Sequence, residues 1–514
     1  MKKKFLSMAL ALSMAATVMT GCGSGTTPSA DTTAEGTTEA KGDEAASASS
    51  SDEDPYELTF MYIASSTPED IDKVQDAIND LTIPELNIKV SLQTVTFGNW
   101  AQQVQLMLSS GESLDVFPSI AGNVPSYIQS GYLVDMSDLL DEYGTNIKAI
   151  CGEDNYKIDQ FDGFVFGVPT QKEWANVSGW VMRKDICDEL GIDAASLKTW
   201  DDMDEVFAKV HEAYPDMTVI GGYSGATPVA IQTGIDRLQD YFGVLENNGQ
   251  DTTVTNWYAS DTYHDLCAKV HEWYEAGYVK KDMTTSNDNG DVQMKAGNTF
   301  CFYTYLNPAS PTERKNASGY DVELAPMSDA VLESSVVSTP AYSISYSAKD
   351  PVKCMQFLDW AYGSEEFETL INWGVEGEHW VYADEANNII TYPEGIDSTT
   401  DKYHVNYGFS MPNQMAGAIW EGNPADIWDQ YKEFNDNGVR SKAFGFLWNP
   451  TGYENEISAL TQVQSKYVAA LGSGSVDPDE VIPQFVSELE QAGIDKVMAE
   501  KQKQLDAFLA AQGE

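Results

Sequence analysis

The chain has 514 residues, enough for roughly two to four domain-sized units and a large buried core. It carries 80 acidic against 30 basic side chains, a formal net charge of −50, so it repels phosphate backbones and anionic headgroups and is excluded as a nucleic-acid binder. Such a surface favours a neutral or cationic ligand without naming one.

Lys2, Lys3 and Lys4 form a basic start, and Phe5 to Met19 is an apolar run shorter than a membrane span needs. The next residues are Thr20, Gly21 and Cys22. Small residues before a Cys resemble a bacterial lipobox, with 1–21 as signal peptide and Cys22 lipidated as the new N-terminus; Met19 stands where Leu is usual. The alternative is a plain secretory signal with an incidental Cys. Residues 22–55 are mostly Gly, Ser, Thr, Ala, Asp and Glu with no aromatic residue, which reads as a disordered tether. Together they predict a protein anchored on the outer face of the cytoplasmic membrane. Cys151, Cys187, Cys267, Cys301 and Cys354 show no C-x-x-C metal spacing and no disulfide framework. They read as small buried hydrophobes, with any pairing left open.

From Tyr56 the pattern becomes that of a folded body. Tyr56 to Ile63 alternates as a strand. Ile71, Val74, Ile78 and Leu81 recur at helical spacing, and Ile88 to Val95 is a second strand. Trp100 to Leu108 predicts a helix, and Leu114 to Ile120 a strand interrupted by Pro118. Strand, helix, strand, helix, strand is the order of a doubly wound α/β sheet, whose ligands sit beyond the carboxyl ends of the strands. That rule singles out Tyr62, Ser65, Ser66 and Ser119.

Gly163 to Asp185 then reads as a crossing between two bodies: an apolar run to Val168, Pro169 to stop sheet pairing, a polar loop with an exposed Trp174, and a new strand from Val177. In the second body Thr199 and Asp202 suit a capping box. Ser260 suits an N-cap for a helix with Tyr263, Cys267, Val270 and Trp273 on a core face, closed at Gly277. Thr299 to Leu306 and Asp321 to Ala325 read as strands, and Pro326 as a return. Tyr342 to Tyr346 is a strand, and Asp350 with Pro351 opens a helix. The stretch from Asn372 to Pro450 is loop-rich, and from Tyr453 on the chain is helical.

Several segments now resemble one family: VPTQKEW at the crossing, SAKDPVKCMQFLDW, NWGVEGEHW, and the tail KAFGFLWNPTGYENEISAL through DPDEVIPQFVSELEQAGIDKVMAEKQKQLDAF. They are similar to extracellular solute-binding lipoproteins of ABC importers, of the large oligosaccharide type. The tail resembles a C-terminal domain of unknown function found in one branch. The resemblance implies a type II periplasmic-binding fold. Lobe 1 would take residues 56–168 plus about 328–375. Lobe 2 and the helical C-terminal region would take 169–327 plus about 376–514. It implies no cofactor, an ABC permease as partner, and a monomer. Relatives of alginate type carry a calcium loop; HEAYPDMTVIGGY at that place has none, so no metal is expected. The string from Asp288 to Asp291 lacks the later Glu and reads as a turn.

A pyranose presents an apolar face and a rim of hydroxyls, so its binder needs flat rings and paired hydrogen-bonding groups. Twelve Trp and 26 Tyr are more than a core requires. Trp174, Trp373, Tyr305 and Trp448 are the expected stacking residues. Asp115, Glu376, Asn413 and Arg183 are the expected polar contacts, beside Tyr62 and Ser65. Two alternatives stay open: a peptide binder using the same two lobes, and a secreted glycosidase, which needs two carboxylates roughly 5 to 10 Å apart. No nucleophile motif supports the second. Gly222 to Ala226 approaches G-x-S-x-G without completing it, and His211 and His271 each lack the second His of H-E-x-x-H.

Overall fold

The computed structural model describes residues 54–513 apart from Ser224, Thr233, Ser286 and Asn287. The leader, Cys22 and nearly all of the tether lie outside the described residues. Two α/β lobes are built around separate sheets.

The first sheet runs in the order Ile88–Val95, Tyr56–Ile63, Val116–Ser119, Ala341–Ile344, Val168–Pro169. The first three strands are parallel, with Tyr56 opposite Ile88 and Ile63 opposite Val95; Ala341–Ile344 is antiparallel to both of its neighbours. Alternation in the Tyr56–Ile63 strand sends Leu58, Phe60 and Tyr62 to one core and Met61 and Ile63 to the other, so helices cover both faces. The Ile71–Leu86 helix covers one face with Val74 and Ile78 and ends on Asn87 at φ 53°. Asn79 on that helix reaches the edge strand, its Nδ2 donating to the Val90 carbonyl at 3.0 Å and its Oδ1 accepting from Val90 N at 2.6 Å. An otherwise open strand edge is thereby satisfied. Pro118 does not break its strand; it lies opposite Tyr342. Pro169 likewise pairs, opposite Ala341, where a stop was expected.

The second sheet has the order Val322–Pro326, Val177–Arg183, Thr299–Leu306, Thr218–Gly221. Val177–Arg183 is buried at every position and antiparallel to both neighbours, while Thr218–Gly221 runs parallel to Thr299–Leu306. One face packs Trp180, Tyr303, Phe207 and Trp273; the other packs Val181, Phe302 and Met294. The caps take their expected partners. Asp202 Oδ2 accepts from Thr199 N at 2.8 Å while Asp202 N donates to Thr199 Oγ1 at 3.3 Å, and Ser260 Oγ accepts from Tyr263 N at 3.1 Å.

The tail forms three helices, Glu454–Gly472, Pro478–Ala492 and Ile494–Gln512. Leu460, Phe485, Leu489, Val497 and Leu505 join the same core as Trp180 and Trp273, so the tail is part of the second lobe. Lys501 is fully buried there, its Nζ donating to Asp240 Oδ1 at 2.7 Å and lying over Trp448 at 5.4 Å; burial lowers its proton affinity. One boundary differs from expectation. Tyr403, Val405 and Met411 pack into the first lobe's core, and Tyr403 Oη donates to the Ile371 carbonyl at 3.0 Å, so residues 403–411 pack with lobe 1, while Val381–Asp384 and Ile389–Thr391 form a small sheet with Ile419–Trp420. Their loop-like sequence has no period from which a side could be read. All five described cysteines are buried and free.

Candidate ligand cleft

Both sheets turn the carboxyl ends of their parallel strands toward the segments that join the lobes. In the first, strands end at Ile63, Val95 and Ser119, and Val168–Pro169 runs out the same way. In the second, Val177 lies opposite Leu306, so the crossing enters where Thr299–Leu306 and Thr218–Gly221 finish. The second crossing leaves from Pro326 beside it.

Three crossings are laced together. Asn176 and Val331 exchange backbone hydrogen bonds at 2.8 and 3.0 Å. Gln171 N donates to the Pro412 carbonyl at 2.9 Å, and Gln414 N to the Gln171 carbonyl at 3.1 Å. Val439 N donates to the Ala330 carbonyl at 2.7 Å. Asn435 fastens the first crossing from the third. Its Oδ1 accepts from Trp174 N at 2.7 Å and Ala175 N at 3.1 Å, and its Nδ2 donates to the Lys172 carbonyl at 2.8 Å. Two buried carboxyl groups sit among these segments. Ser338 Oγ donates to Asp159 Oδ1, and Glu368 accepts from Asn372 Nδ2 at 2.9 Å and Asn413 N at 3.3 Å. Burial pushes each carboxyl up to about 8, so both are neutral in mildly acidic water.

The surface above the crossings holds a group that sequence reasoning missed. Glu173 is half-buried on the first crossing, and its Oε2 accepts from Gln414 Nε2 at 3.0 Å. Glu313 comes from the Ser310–Ser318 helix, just past the end of Thr299–Leu306. Its side chain is exposed. Desolvation pushes its carboxyl up, Glu173 and Asp291 add to the rise, and Arg314 and Asn307 oppose it. Burial raises the Tyr431 phenol, and the charges of Glu173 and Glu313 add to the rise. Arg314 Nη1 donates to Asp291 Oδ2 at 2.8 Å and the guanidinium lies 5.7 Å from the Tyr223 ring. On the first lobe, Phe97 is 53% exposed beyond the carboxyl end of Ile88–Val95. Only the strand-end rule could have found Phe97; nothing local marks the two glutamates.

The expected site residues separate into groups. Ser65 and Ser66 are exposed at the carboxyl end of the first strand, and Glu376 is exposed on a turn. Asn413, expected as a polar contact, is buried in the third crossing with its Nδ2 donating to the Tyr362 carbonyl at 2.9 Å. Tyr305 is half-buried at the second lobe's edge and accepts from Arg237 Nη1 at 3.1 Å. Trp373 stacks on Trp420 at 4.9 Å, with His404 edge-on at 4.9 Å. The others are not at an open surface. Trp174, expected in the gap, is buried among Ala175, Leu332, Val337 and Phe444, and its Nε1 donates to the Thr170 carbonyl at 2.9 Å. Trp448 is in the second lobe's core. Tyr62 is fully buried against the Tyr403 hydroxyl at 3.2 Å, and Ser119 is buried on the Ala341 carbonyl at 3.1 Å. Asp115 is buried at the opposite, amino end of its strand, accepting from Thr59 N at 2.8 Å. Arg183 is at the far end of its strand, held by Asp185 and lying 4.0 Å over Tyr320. Rings and charges in a sequence report chemistry but not burial, and at these positions packing claimed them.

Asp70, Glu378 and His379 come within ligating distance of one another, but Lys73 already supplies the cation. Its Nζ lies 3.1 Å from Asp70 Oδ2 and 2.5 Å from Glu378 Oε2, while His379 Nδ1 accepts from Val375 N at 2.9 Å. The group ties the 375–379 turn to the first lobe's helix. At the Asp288-to-Asp291 string, Asn289 caps a helix, its Oδ1 accepting from Val292 N at 2.8 Å, and Asp291 faces Arg314.

Two α/β lobes, laced crossings between them and strand ends aimed at those crossings define a two-lobed solute-binding protein. The family model described as bacterial extracellular solute-binding protein matches residues 59–375, and the chain belongs to that family. Residues 442–510 match a domain of unknown function (DUF3502). The chain is 23% identical over 460 residues to a carbohydrate ABC transporter substrate-binding protein of Streptococcus pneumoniae, covering 87% of this chain and 90% of that one. Its fold is similar to the crystal structure of an N-glycan transport solute-binding protein from Streptococcus pneumoniae, with a TM-score of 0.79 at 22% identity over 89% of this chain and 100% of that one. The same protein in complex with Man1GlcNAc gives a TM-score of 0.73 at 21% identity over 88% and 99%.

Proposed function

We propose that this protein is the substrate-binding component of an ABC importer, capturing an oligosaccharide outside the membrane and handing it to permease subunits. The observation that supports it most is that strands of both lobes end at the laced crossings. Phe97 and Tyr223 offer apolar faces, and Glu173, Glu313, Gln414 and Asn307 offer hydrogen-bonding rims. Of the sequence candidates, Ser65, Glu376, Tyr305 and Trp373 remain proposed contacts, whereas Asn413 is buried and engaged with Tyr362 and Glu368. A sugar touching both lobes stabilises the closed arrangement by its differential affinity, and a permease reads that shape. The chain acts as a monomer held at the membrane by a lipid on Cys22. No chemical step is assigned to it.

The test is a thermal-shift screen of oligosaccharides and peptides on the protein. A ligand at 100 times its dissociation constant adds about 2.7 kcal/mol, a shift of a few degrees. A shift with sugars and none with peptides supports the reading; the reverse overturns it. Glu173 and Glu313 are the carboxylates a glycosidase would use, so release of reducing ends from the same sugars would replace this reading with hydrolysis.

A further inference from the structure

Resting on the carbohydrate reading, we propose that the C-terminal domain of unknown function is a brace for ligand capture: its last helix fixes the 236–245 loop, and that loop holds both the second crossing and the Tyr305 ring, with Lys501 and Arg237 as positioning residues. The loop needs holding. Leu238 and Gln239 stand at φ 47° and 77°, a left-handed conformation that persists in such residues only where the surroundings impose it. Paired backbone hydrogen bonds of 2.8 Å between Asp236 and Leu245 close its base. The Ile494–Gln512 helix holds the loop itself. Lys501 Nζ donates to Asp240 Oδ1 at 2.7 Å and to the Gly243 carbonyl at 3.3 Å. Next to it, Gln502 Oε1 accepts from Val254 N at 2.7 Å and its Nε2 donates to the Thr252 carbonyl at 3.0 Å. The base of the loop carries that hold to the crossing. Asp236 is fully buried; its Oδ2 accepts from Ser334 N at 2.7 Å and its Oδ1 from Ser334 Oγ at 2.8 Å. Arg237 forks onto Glu333, Nε to Oε2 and Nη2 to Oε1, each at 2.7 Å, and its Nη1 donates to Tyr305 Oη at 3.1 Å. The tail domain also reaches the crossing directly, where Gly445 N donates to the Ser334 carbonyl at 2.8 Å. Ser334 is thus tied to the second lobe by its N–H, its hydroxyl and its carbonyl. A little further on, Ser338 is tied to the first lobe: Ala121 N donates to its carbonyl at 2.9 Å, and its Oγ donates to Asp159 Oδ1. Bending of this crossing is therefore confined between Ser334 and Ser338, and the tail fixes the second lobe's side of the bend. Loss of that hold adds lobe arrangements that a sugar must exclude before it binds, which lowers apparent affinity without removing a contact.

The experiment compares the full-chain protein with Lys501→Met, Gln502→Ala and Leu489→Ala. Lys501→Met keeps the bulk of the buried side chain and removes its bonds to the loop. Gln502→Ala is the milder change, freeing Val254 and Thr252 from a half-buried position. Leu489→Ala opens a cavity in the tail's own core and breaks none of these bonds, so it controls for lost stability. Hydrogen exchange is read on the ligand-free protein, and affinity by calorimetric titration with mannotriose and chitotriose. Protection of the Ser334 amide falls about tenfold relative to amides of the Val177–Arg183 strand in Lys501→Met, and less in Gln502→Ala; in Leu489→Ala the two loosen together. Sugar affinity falls by a similar factor in the first two variants and holds in the third. Ser334 protection that follows the strand in both Lys501→Met and Gln502→Ala overturns the brace. Protection lost while the affinity of a bound sugar is unchanged overturns the tail's part in ligand capture. Absence of binding by both sugars counts against the carbohydrate reading alone, and the exchange result still decides whether the tail holds the crossing.

Discussion

Asn435 is the residue whose removal most directly loosens the join between the lobes. Its amide makes three hydrogen bonds to the first crossing's backbone, at 2.7, 3.1 and 2.8 Å. Asn435→Ala leaves two N–H groups and one carbonyl of a partly buried segment without partners. At about 1 kcal/mol for each bond the loss is about 3 kcal/mol, a shift of roughly a hundredfold in the local opening equilibrium. Hydrogen exchange reads this at the amides that lose their acceptor, Trp174 and Ala175. Their protection should fall about a hundredfold in the variant, while amides in the Tyr56–Ile63 strand change far less. Asn435→Asp keeps both acceptor contacts and loses only the donor, so it should retain most of the protection. Unchanged exchange at Trp174 and Ala175 in Asn435→Ala would refute the idea that this side chain fastens the crossing.

Asp159 and Glu368 make stability depend on pH. Their folded pKa values, about 8, lie above those of the unfolded chain, so the folded state holds extra protons between pH ~4 and ~8. Stability from these groups is full below that window and declines as pH rises through it, by up to about 1.4 kcal/mol per pH unit for each. Urea titrations from pH 5 to 8.5 should show a shallower decline in Glu368→Gln than in the unaltered protein; parallel curves would contradict it. Burial raises the Cys187 and Cys267 thiols to about 12 and pushes Cys151, Cys301 and Cys354 up as well, so a thiol reagent should leave all five unmodified in the folded protein and label them in denaturant. Gly290→Ala would drive a methyl into the Phe302 ring. It should cost about 1–3 kcal/mol and lower Tm; an unchanged Tm would mean the ring can move aside.

The first lobe was largely legible in the sequence because its signals are local. Alternation from Tyr56 to Ile63, helical spacing from Ile71 to Ile78 and the cap at Asp350 each follow from neighbouring residues, as do the second lobe's caps at Asp202 and Ser260. The carboxyl-end rule likewise put Ser65 at an exposed edge. The cleft was less legible because its chemistry is assembled over long separations. Glu173 and Gln414 meet only after the crossings are laced together, and each alone resembles an ordinary surface side chain. Trp174 shows the opposite failure: its segment was read correctly as a crossing, but the crossing has a core of its own, and the ring fills it. Residues 403–411 return to the first lobe through single anchors such as Tyr403 and Met411, which no periodic pattern announces.

The central claim is that the two lobes grip an intact sugar at their crossings. Small-angle scattering of the protein with and without a saturating neutral oligosaccharide, with the sugar recovered and sized afterwards, tests it most directly. The account predicts a contraction on sugar addition and recovery of the sugar at its original length. Identical profiles with a sugar shown to be bound, or recovery of shortened chains, would contradict it.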